Sequence, residues 1–295
     1  MKASCRLVQS GGNSAPCYAN AMLERELSAA VELARGAGRI LMDIYAHDFA
    51  VAYKGTNDPV TEADNLANAY IVEALTQRFP TDGIVAEESV DRGDALSKSR
   101  CWFVDPLDGT KEFIAKNGEF SVMIGLAIDG RSALGVVYQP SLDKLYRGVV
   151  GEGAVLEQHG ATRALRVSEQ ADPRELKLVV SRSHRPSSIE QIMQRLSATQ
   201  EMPSGSVGVK VGLIAEQSAD LYVHVSDKSS LWDACGPEAV LQAAGGRFVH
   251  VDGSAISYAS ADMKNRRGIL ACNSASYERV LEVVREISRA EGFLT

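Results

Sequence analysis

In the segment Trp102-Phe103-Val104-Asp105-Pro106-Leu107-Asp108-Gly109-Thr110, an apolar run ends in two carboxylates three positions apart, then a glycine and a hydroxyl. Trp102 to Val104 reads as a buried strand. Pro106 cannot donate to a sheet ladder, so the strand is expected to stop near Asp105. Gly109 permits a tight turn, and Lys111 to Lys116 is expected to begin a helix. Two acids and a hydroxyl then stand at a strand end beside a helix start. Carboxylates forced together repel unless a positive group lies between them. A hard divalent cation with oxygen ligands, such as Mg²⁺, suits that position, and the start of a helix suits an anionic phosphate. The alternative is a plain turn, since turns commonly use Asp, Pro and Gly.

Three further acidic stretches accompany this one. They are Asn57-Asp58-Pro59-Val60-Thr61-Glu62-Ala63-Asp64, Gly83-Ile84-Val85-Ala86-Glu87-Glu88-Ser89 and Leu231-Trp232-Asp233-Ala234-Cys235-Gly236-Pro237-Glu238. Each sets a carboxylate beside apolar residues, where an unpaired charge is costly. Singly, each has an ordinary use: Asp64 as a surface helix carboxylate, Glu87-Glu88 as a solvated loop, Asp233 as a helix N-cap. Together they are hard to dismiss as turn and cap residues.

The elements that must carry these groups alternate along the chain. A helical period runs from Leu23 to Tyr45, and Val51 to Lys54 reads as a short strand. Thr61 to Phe79 reads as a second helix with Leu66, Tyr70 and Leu75 on one stripe. Phe120 to Tyr138 holds two strands around the Asp129-Gly130 turn, and Leu145 to Leu156 continues in short strands. From Leu178 the order is strand to Ser181, helix near Ile189 to Leu196, helix near Val207 to Gln217 and strand Asp220 to Val225. Helix Trp232 to Ala244, strands Phe248 to Val251 and Gly268 to Cys272, and a helix through Val280 to Ile287 follow. Strands first and βα alternation afterwards predict two packed subdomains. Residues 21–172 are expected to form the first, an α+β unit with three of the four acidic stretches. Residues 173–295 are expected to form the second, an α/β unit with Asp233. Residues 1–20, rich in Ser, Gly, Ala and Asn, are expected to be a disordered extension.

Composition narrows the class. The 295 residues suffice for a substantial core, and a net charge of −7 with a pI of about 5.4 argues against a nucleic-acid or anionic-membrane surface. An acidic protein that binds a polyanion needs cations to reverse the local sign. No apolar run reaches the roughly 18 residues of a membrane span, and the first 20 residues contain no secretory h-region. The five cysteines are unpaired by motif and point to a reduced, cytoplasmic setting. Cys101 and Cys235, which flank the acids, read as buried thiols rather than nucleophiles. Gly36-Ala37-Gly38 lies inside a helical pattern and is no dinucleotide fingerprint.

The four acidic motifs, in their order along the chain, resemble the inositol monophosphatase superfamily of metal-dependent phosphatases, from about Glu24 to about Asn273. Lys111-Glu112-Phe113-Ile114, Asn117-Gly118-Glu119-Phe120, Val180-Ser181-Arg182-Ser183-His184 and Gly205-Ser206-Val207-Gly208-Val209-Lys210 are most similar to its 3'(2'),5'-bisphosphate nucleotidase branch. Some members of that branch have G-S-S-L-K where this chain has Ser206-Val207-Gly208-Val209-Lys210, and a glycine at position 208 also occurs in some of them. The resemblance implies an α/β fold, a layered αβαβα sandwich with the metal site between the halves. It implies that Glu87, Asp105 and the Leu107 carbonyl hold one Mg²⁺ and that Asp105, Asp108 and Asp233 hold a second, with a third ion able to share Glu87. Asp64 and Thr110 would activate the attacking water, without a covalent phosphoenzyme. Glu87, Leu107, Asp108, Gly109, Thr110, His184, Ser206, Lys210 and Asp233 would line the substrate, with His184, Ser206 and Lys210 on the nucleotide. For Lys210 the alternative is a solvated helix lysine, and for His184 a loop histidine. Gly205 and Gly208 would let the backbone approach the ligand or merely mark a loop.

The implied reaction removes the 3'-phosphate of adenosine 3',5'-bisphosphate to give AMP, in sulfur metabolism, with inhibition by lithium and calcium. An inositol or sugar monophosphatase using the same metals is the alternative, and a catalytically silent metal-binding protein is a third. The expected partners are a small phosphate ester and a second copy of the chain in a homodimer, with no nucleic-acid polymer.

Overall fold

The computed structural model describes residues 23–55, 58–89, 94–183 and 185–294. The 1–20 extension, Asn57 and His184 lie outside the described residues.

Helices α1 (Glu24–Tyr45) and α2 (Glu62–Arg78) form one outer layer. Beneath them lies a sheet in the order β3-β4-β5-β6-β7-β8-β9: Gly83–Ala86, Arg100–Asp108, Ser121–Ile128, Arg131–Gln139, Lys144–Val149, Gly153–Gln158 and Ala161–Leu165. Only the β3–β4 pair is parallel. The small hairpin β1 (Val51–Gly55) and β2 (Asp58–Thr61) stands apart.

Alternation along the strands explains the layering. Trp102, Val104, Val122, Ile124, Leu134 and Val136 face α1 and α2. The intervening Phe103, Met123 and Val137 point the other way, into a core shared with α5 (Val207–Ala215) and α6 (Trp232–Ala243). Below these helices is a second sheet in the order β11-β10-β12-β14-β13: Gln200–Ser204, Lys177–Ser181, Leu221–His224, Ile269–Cys272 and Arg247–Val249. Its far face, with Leu178, Val180, Val223 and Leu270, is closed by α4 (Ser187–Leu196) and α7 (Tyr277–Ala290). The result is an αβαβα sandwich.

Helix α6 can lie against the first sheet because small residues meet there. A Cβ on Gly135 would stand 2.0 Å from the Gly236 carbonyl oxygen, and one on Gly125 would stand 2.4 Å from Gly236 N. This contact sets the depth of Asp233, in the first turn of α6.

Three expectations are corrected. Strand β4 does not end at Asp105 but runs to Asp108, because Pro106 sits in a bulge: Asp105 pairs with Met123 and Asp108 with Ser121. The helix after it, α3, spans Thr110–Ile114 rather than Lys111 to Lys116. Leu66 is 46% exposed, and α2 instead buries Ala63, Ala67, Ile71 and Leu75, a regular i, i+4 line. Strands β9 and β11 were not anticipated, since both are sheet edges with largely exposed residues and no alternating apolar signal. No helix among the described residues is long and apolar enough to cross a membrane.

Candidate functional site

The acids come together where strand ends meet helix starts. Glu87 follows β3 and is tied to the sheet by its backbone N–H on the Val104 carbonyl, 3.1 Å. Asp105, the last residue of β4 in regular register before the bulge, lies on the same face as Phe103 and is 2% exposed, with Leu107 N donating to its Oδ1 at 3.0 Å. Asp108 closes the strand. Its Oδ2 accepts from Ser206 Oγ at 2.6 Å and Gly208 N at 3.0 Å, both at the start of α5. Asp233 accepts from Ser230 N at 2.6 Å.

Burial pushes the Asp105 carboxyl well above the usual carboxylate range, and the charges of Glu87, Asp108 and Asp233 push it further. Burial does the same to Asp233, assisted by Asp108 and Glu87. Glu87 is raised chiefly by burial, against the pull of Lys54 on β1, whose Nζ donates to it at 3.0 Å. Lys54 also pairs with Glu88, so neither glutamate is a simple solvated loop residue. Each acid thus leans toward a donor of its own, and among the described residues no three close into a compact ligand cluster. The donor set is nonetheless all oxygen, mutually repulsive and partly buried, with the Leu107 carbonyl beside it. A hard cation fits that chemistry.

Asp64 is not a surface carboxylate. It is 2% exposed at the N-terminus of α2, in a capping box with Thr61. Thr61 N and Thr61 Oγ1 both donate to Oδ2 at 2.7 Å. Thr110 Oγ1 donates to Oδ1 at 3.1 Å and has the Leu107 carbonyl as a second acceptor at 3.3 Å. Burial raises Asp64 above the usual carboxylate range, and the Thr61 and Thr110 hydrogen bonds oppose that rise. Gly109, the N-cap of α3 with φ +97°, makes the turn that places Thr110 opposite Asp64.

A cleft of about 610 Å³ opens from Asp108, Thr110 and Asp233 toward Arg182, Ser206 and Lys210. Lys210 is no solvated lysine: it is 3% exposed on α5, with Nζ 3.5 Å from the Ser204 carbonyl and 5.1 Å from the centre of the Tyr222 ring. Burial pulls its pKa down to about 8, while Asp108, Glu112, Glu119 and Asp233 favour its charge. Ser206, at φ +51°, caps α5 and links Ser121 to Asp108.

The glycines have a packing reason. A Cβ on Gly208 would stand 2.7 Å from Ser121 Oγ and Met123 Sδ, and one on Gly205 would stand 2.3 Å from Glu112 Cγ. Cys101 and Cys235 are buried, with burial pushing the first thiol up to about 12 and the second well above its ordinary value, so neither is a nucleophile. In the sequence Glu112, Glu119 and Arg182 stand out only as parts of branch motifs, yet Glu112 and Arg182 line the cleft and Glu119 bonds to its lining residues Arg182 and Gly205. In the sequence Lys54 shows only as the end of a short strand. Its one sequence signal was a lone cation upstream of two adjacent glutamates.

The inositol monophosphatase family model matches residues 22–289. The 3'(2'),5'-bisphosphate nucleotidase CysQ of Escherichia coli strain K12 is 35% identical over 235 residues, 79% of this chain and 93% of that protein. The protein of the same name from Buchnera aphidicola is 34% identical over 242 residues, covering 81% and 89%. Among solved structures, CysQ from Bacteroides thetaiotaomicron superposes with a TM-score of 0.71 at 30% identity, covering 86% of this chain and 99% of that one. An inositol monophosphatase from Anabaena superposes with a TM-score of 0.73 at 27% identity, covering 90% and 96%.

Proposed function

This chain belongs to the inositol monophosphatase family, and from that premise we propose that it hydrolyses the 3'-phosphate of adenosine 3',5'-bisphosphate to AMP and phosphate, with Mg²⁺ as its cation. Members of the family are generally metal-dependent. Here Glu87, Asp105, Asp108, Asp233 and the Leu107 carbonyl are the groups that would hold the cations. When bound, Mg²⁺ neutralises these acids, attracts the phosphoryl oxygens and makes a water more acidic.

The rest belongs to the chain's own side chains. The Thr110 hydroxyl has one proton, directed at Asp64 Oδ1, so its lone pairs are free to accept a proton from the attacking water. Asp64, fixed by two hydrogen bonds from Thr61, receives what Thr110 passes on. Gly109 and Thr110 line the cleft, and their backbone N–H groups would serve as donors to the scissile phosphate. Phosphoryl transfer needs this kind of positioning more than it needs a nucleophilic side chain.

The observation that carries the choice of a bisphosphate is Lys210, a buried ammonium in the same cleft as Asp108, Thr110 and Asp233. It supplies a site for a second anion beside the one that reacts. Ser206 and His184 are the further nucleotide contacts of this reading. Phosphate release from adenosine 3',5'-bisphosphate and from inositol 1-phosphate, each with Mg²⁺ and with chelator, tests it. Mg²⁺-dependent preference for the nucleotide supports the proposal, and preference for the inositol ester overturns it.

A further inference from the structure

Two glutamates touch none of the groups that move a proton or face the cations, although both favour the charge on Lys210, and each reaches across to the opposite wall of the cleft. Glu112, on α3, is 6% exposed and accepts from Ser183 Oγ. Glu119 accepts from Gly205 N at 2.8 Å and grips Arg182 with both oxygens, at 2.7 Å from Nε and 2.6 Å from Nη2. Arg182 Nη2 also donates to the Pro203 carbonyl at 3.0 Å, and Arg182 N to the Ser204 carbonyl at 3.1 Å. The loop that carries Glu119 is itself anchored to the first sheet. Gly118 O accepts from Gln139 Nε2 at 2.9 Å and Ser141 Oγ at 2.6 Å, and Asn117 Oδ1 accepts from Glu119 N at 2.9 Å.

The two glutamates therefore bridge the two halves of the sandwich. One end of the bridge is the loop beyond the Asp108-Gly109-Thr110 turn. The other is formed by the ends of β10 and β11, which carry Arg182, Ser183 and Gly205 into the cleft. The β10–β11 pair is already joined along Lys177–Ser181 and Gln200–Ser204, so the strands do not depend on the bridge to form. What the bridge adds is the position of their ends. Gly205 shows how close the fit is: a Cβ there would collide with Glu112 Cγ at 2.3 Å and the Glu119 carbonyl oxygen at 2.5 Å.

We propose that Glu112 and Glu119 are positioning residues. They hold the wall formed by Arg182, Ser183 and Gly205 at a set distance from the reacting centre, and so fix the selectivity for a bisphosphate over a monoester. This rests on the nucleotidase reading. A wall ordered in advance spares the substrate the cost of ordering it, and that cost falls on binding rather than on the chemical step. Asp64, Thr110 and the carboxylates at β3, β4 and α6 are untouched by either glutamate's loss.

The test compares wild type with Glu119→Gln and Glu112→Gln on adenosine 3',5'-bisphosphate and on adenosine 3'-monophosphate, together with hydrogen exchange at amides 180–183 and 203–206. Both variants are expected to raise KM for the bisphosphate about tenfold, to keep kcat within about twofold, and to leave the monophosphate parameters unchanged. Exchange at the two strand ends is expected to quicken. Equal losses on both substrates, a fall in kcat, a raised KM without faster exchange (the mark of a weakened Lys210 charge), or an unchanged KM despite faster exchange would each overturn the assignment. Should Glu112→Gln fail to fold, Glu119→Gln, at a partly exposed side chain, still decides the matter. A wild-type enzyme that prefers the monophosphate removes the nucleotidase reading instead. The selectivity assignment then falls with it, whatever the exchange shows.

Discussion

Replacing Asp64 with Asn separates proton acceptance from folding, and the structure dictates which way the new amide must face. Thr61 N and Thr61 Oγ1 converge on Oδ2. The backbone N–H can only donate, so the amide oxygen must take that position and the NH₂ must face Thr110. The amide then donates to Thr110 Oγ1, and the hydroxyl proton swings to its second acceptor, the Leu107 carbonyl. Every group stays hydrogen-bonded, but the route from water through Thr110 to a carboxylate is gone. Loss of a positioned general base costs about 10²–10⁴ in rate, or about 3–5 kcal/mol of barrier. Stability should change by less than about 1 kcal/mol, because relief of a buried charge offsets the loss of charge-assisted hydrogen bonds. Mg²⁺-dependent phosphate release gives kcat, calorimetry the Mg²⁺ affinity and urea unfolding the stability. A folded, Mg²⁺-binding Asp64→Asn enzyme with kcat within about fivefold of wild type would refute the assignment of Asp64.

Asp105→Asn should abolish Mg²⁺-dependent turnover while making the metal-free protein more resistant to heat at pH 8. A carboxyl raised in the folded state loses stability as pH climbs, and the amide removes that loss. Melting in chelator and in Mg²⁺ checks both halves. Gly135→Ala would set a methyl 2.0 Å from the Gly236 carbonyl and lift α6, with Asp233, off the sheet. It should cost about 1–3 kcal/mol in urea unfolding and weaken Mg²⁺ binding measured by calorimetry. Glu238, buried and bonded to Tyr258 and Gln242, has its pKa pushed by burial from 4.5 to about 7. Its contribution is therefore lost as pH rises from about 4.5 through 7, about 3 kcal/mol in all, and Glu238→Gln should flatten the stability–pH curve over that range. Urea midpoints across the range would show no difference from wild type if Glu238 titrates normally.

The acidic positions were legible because their chemistry is local. An Asp at an apolar strand end needs a cation or a donor wherever the chain goes, and the Asp105-to-Thr110 turn is written in consecutive residues. The central strands and the long helices were legible for a related reason, since a buried face leaves a period of 2 or about 3.6 in the letters. Edge strands β9 and β11 leave no such trace. Leu66 misled because an apolar side chain on an exposed face has the same letter as one in the core. The environments of Lys54, Glu112, Glu119 and Lys210 were out of reach for a different reason. Their partners are distant in sequence, so the Glu119–Arg182 pair exists only once two sheets have been stacked. The glycines at 205 and 208 likewise gain their meaning from what packs against them across layers, not from the turn chemistry their letters suggest.

The account rests on Asp105 being the shared oxygen ligand at the centre of the converging acids. Anomalous diffraction from crystals soaked in Mn²⁺, a scatterer with similar oxygen preferences, locates the cations directly. Peaks bridged by Asp105 and flanked by Glu87, Asp108 and Asp233 are the result predicted. A cation bound elsewhere, with the Asp105 carboxyl unliganded in an enzyme that turns over, would contradict it.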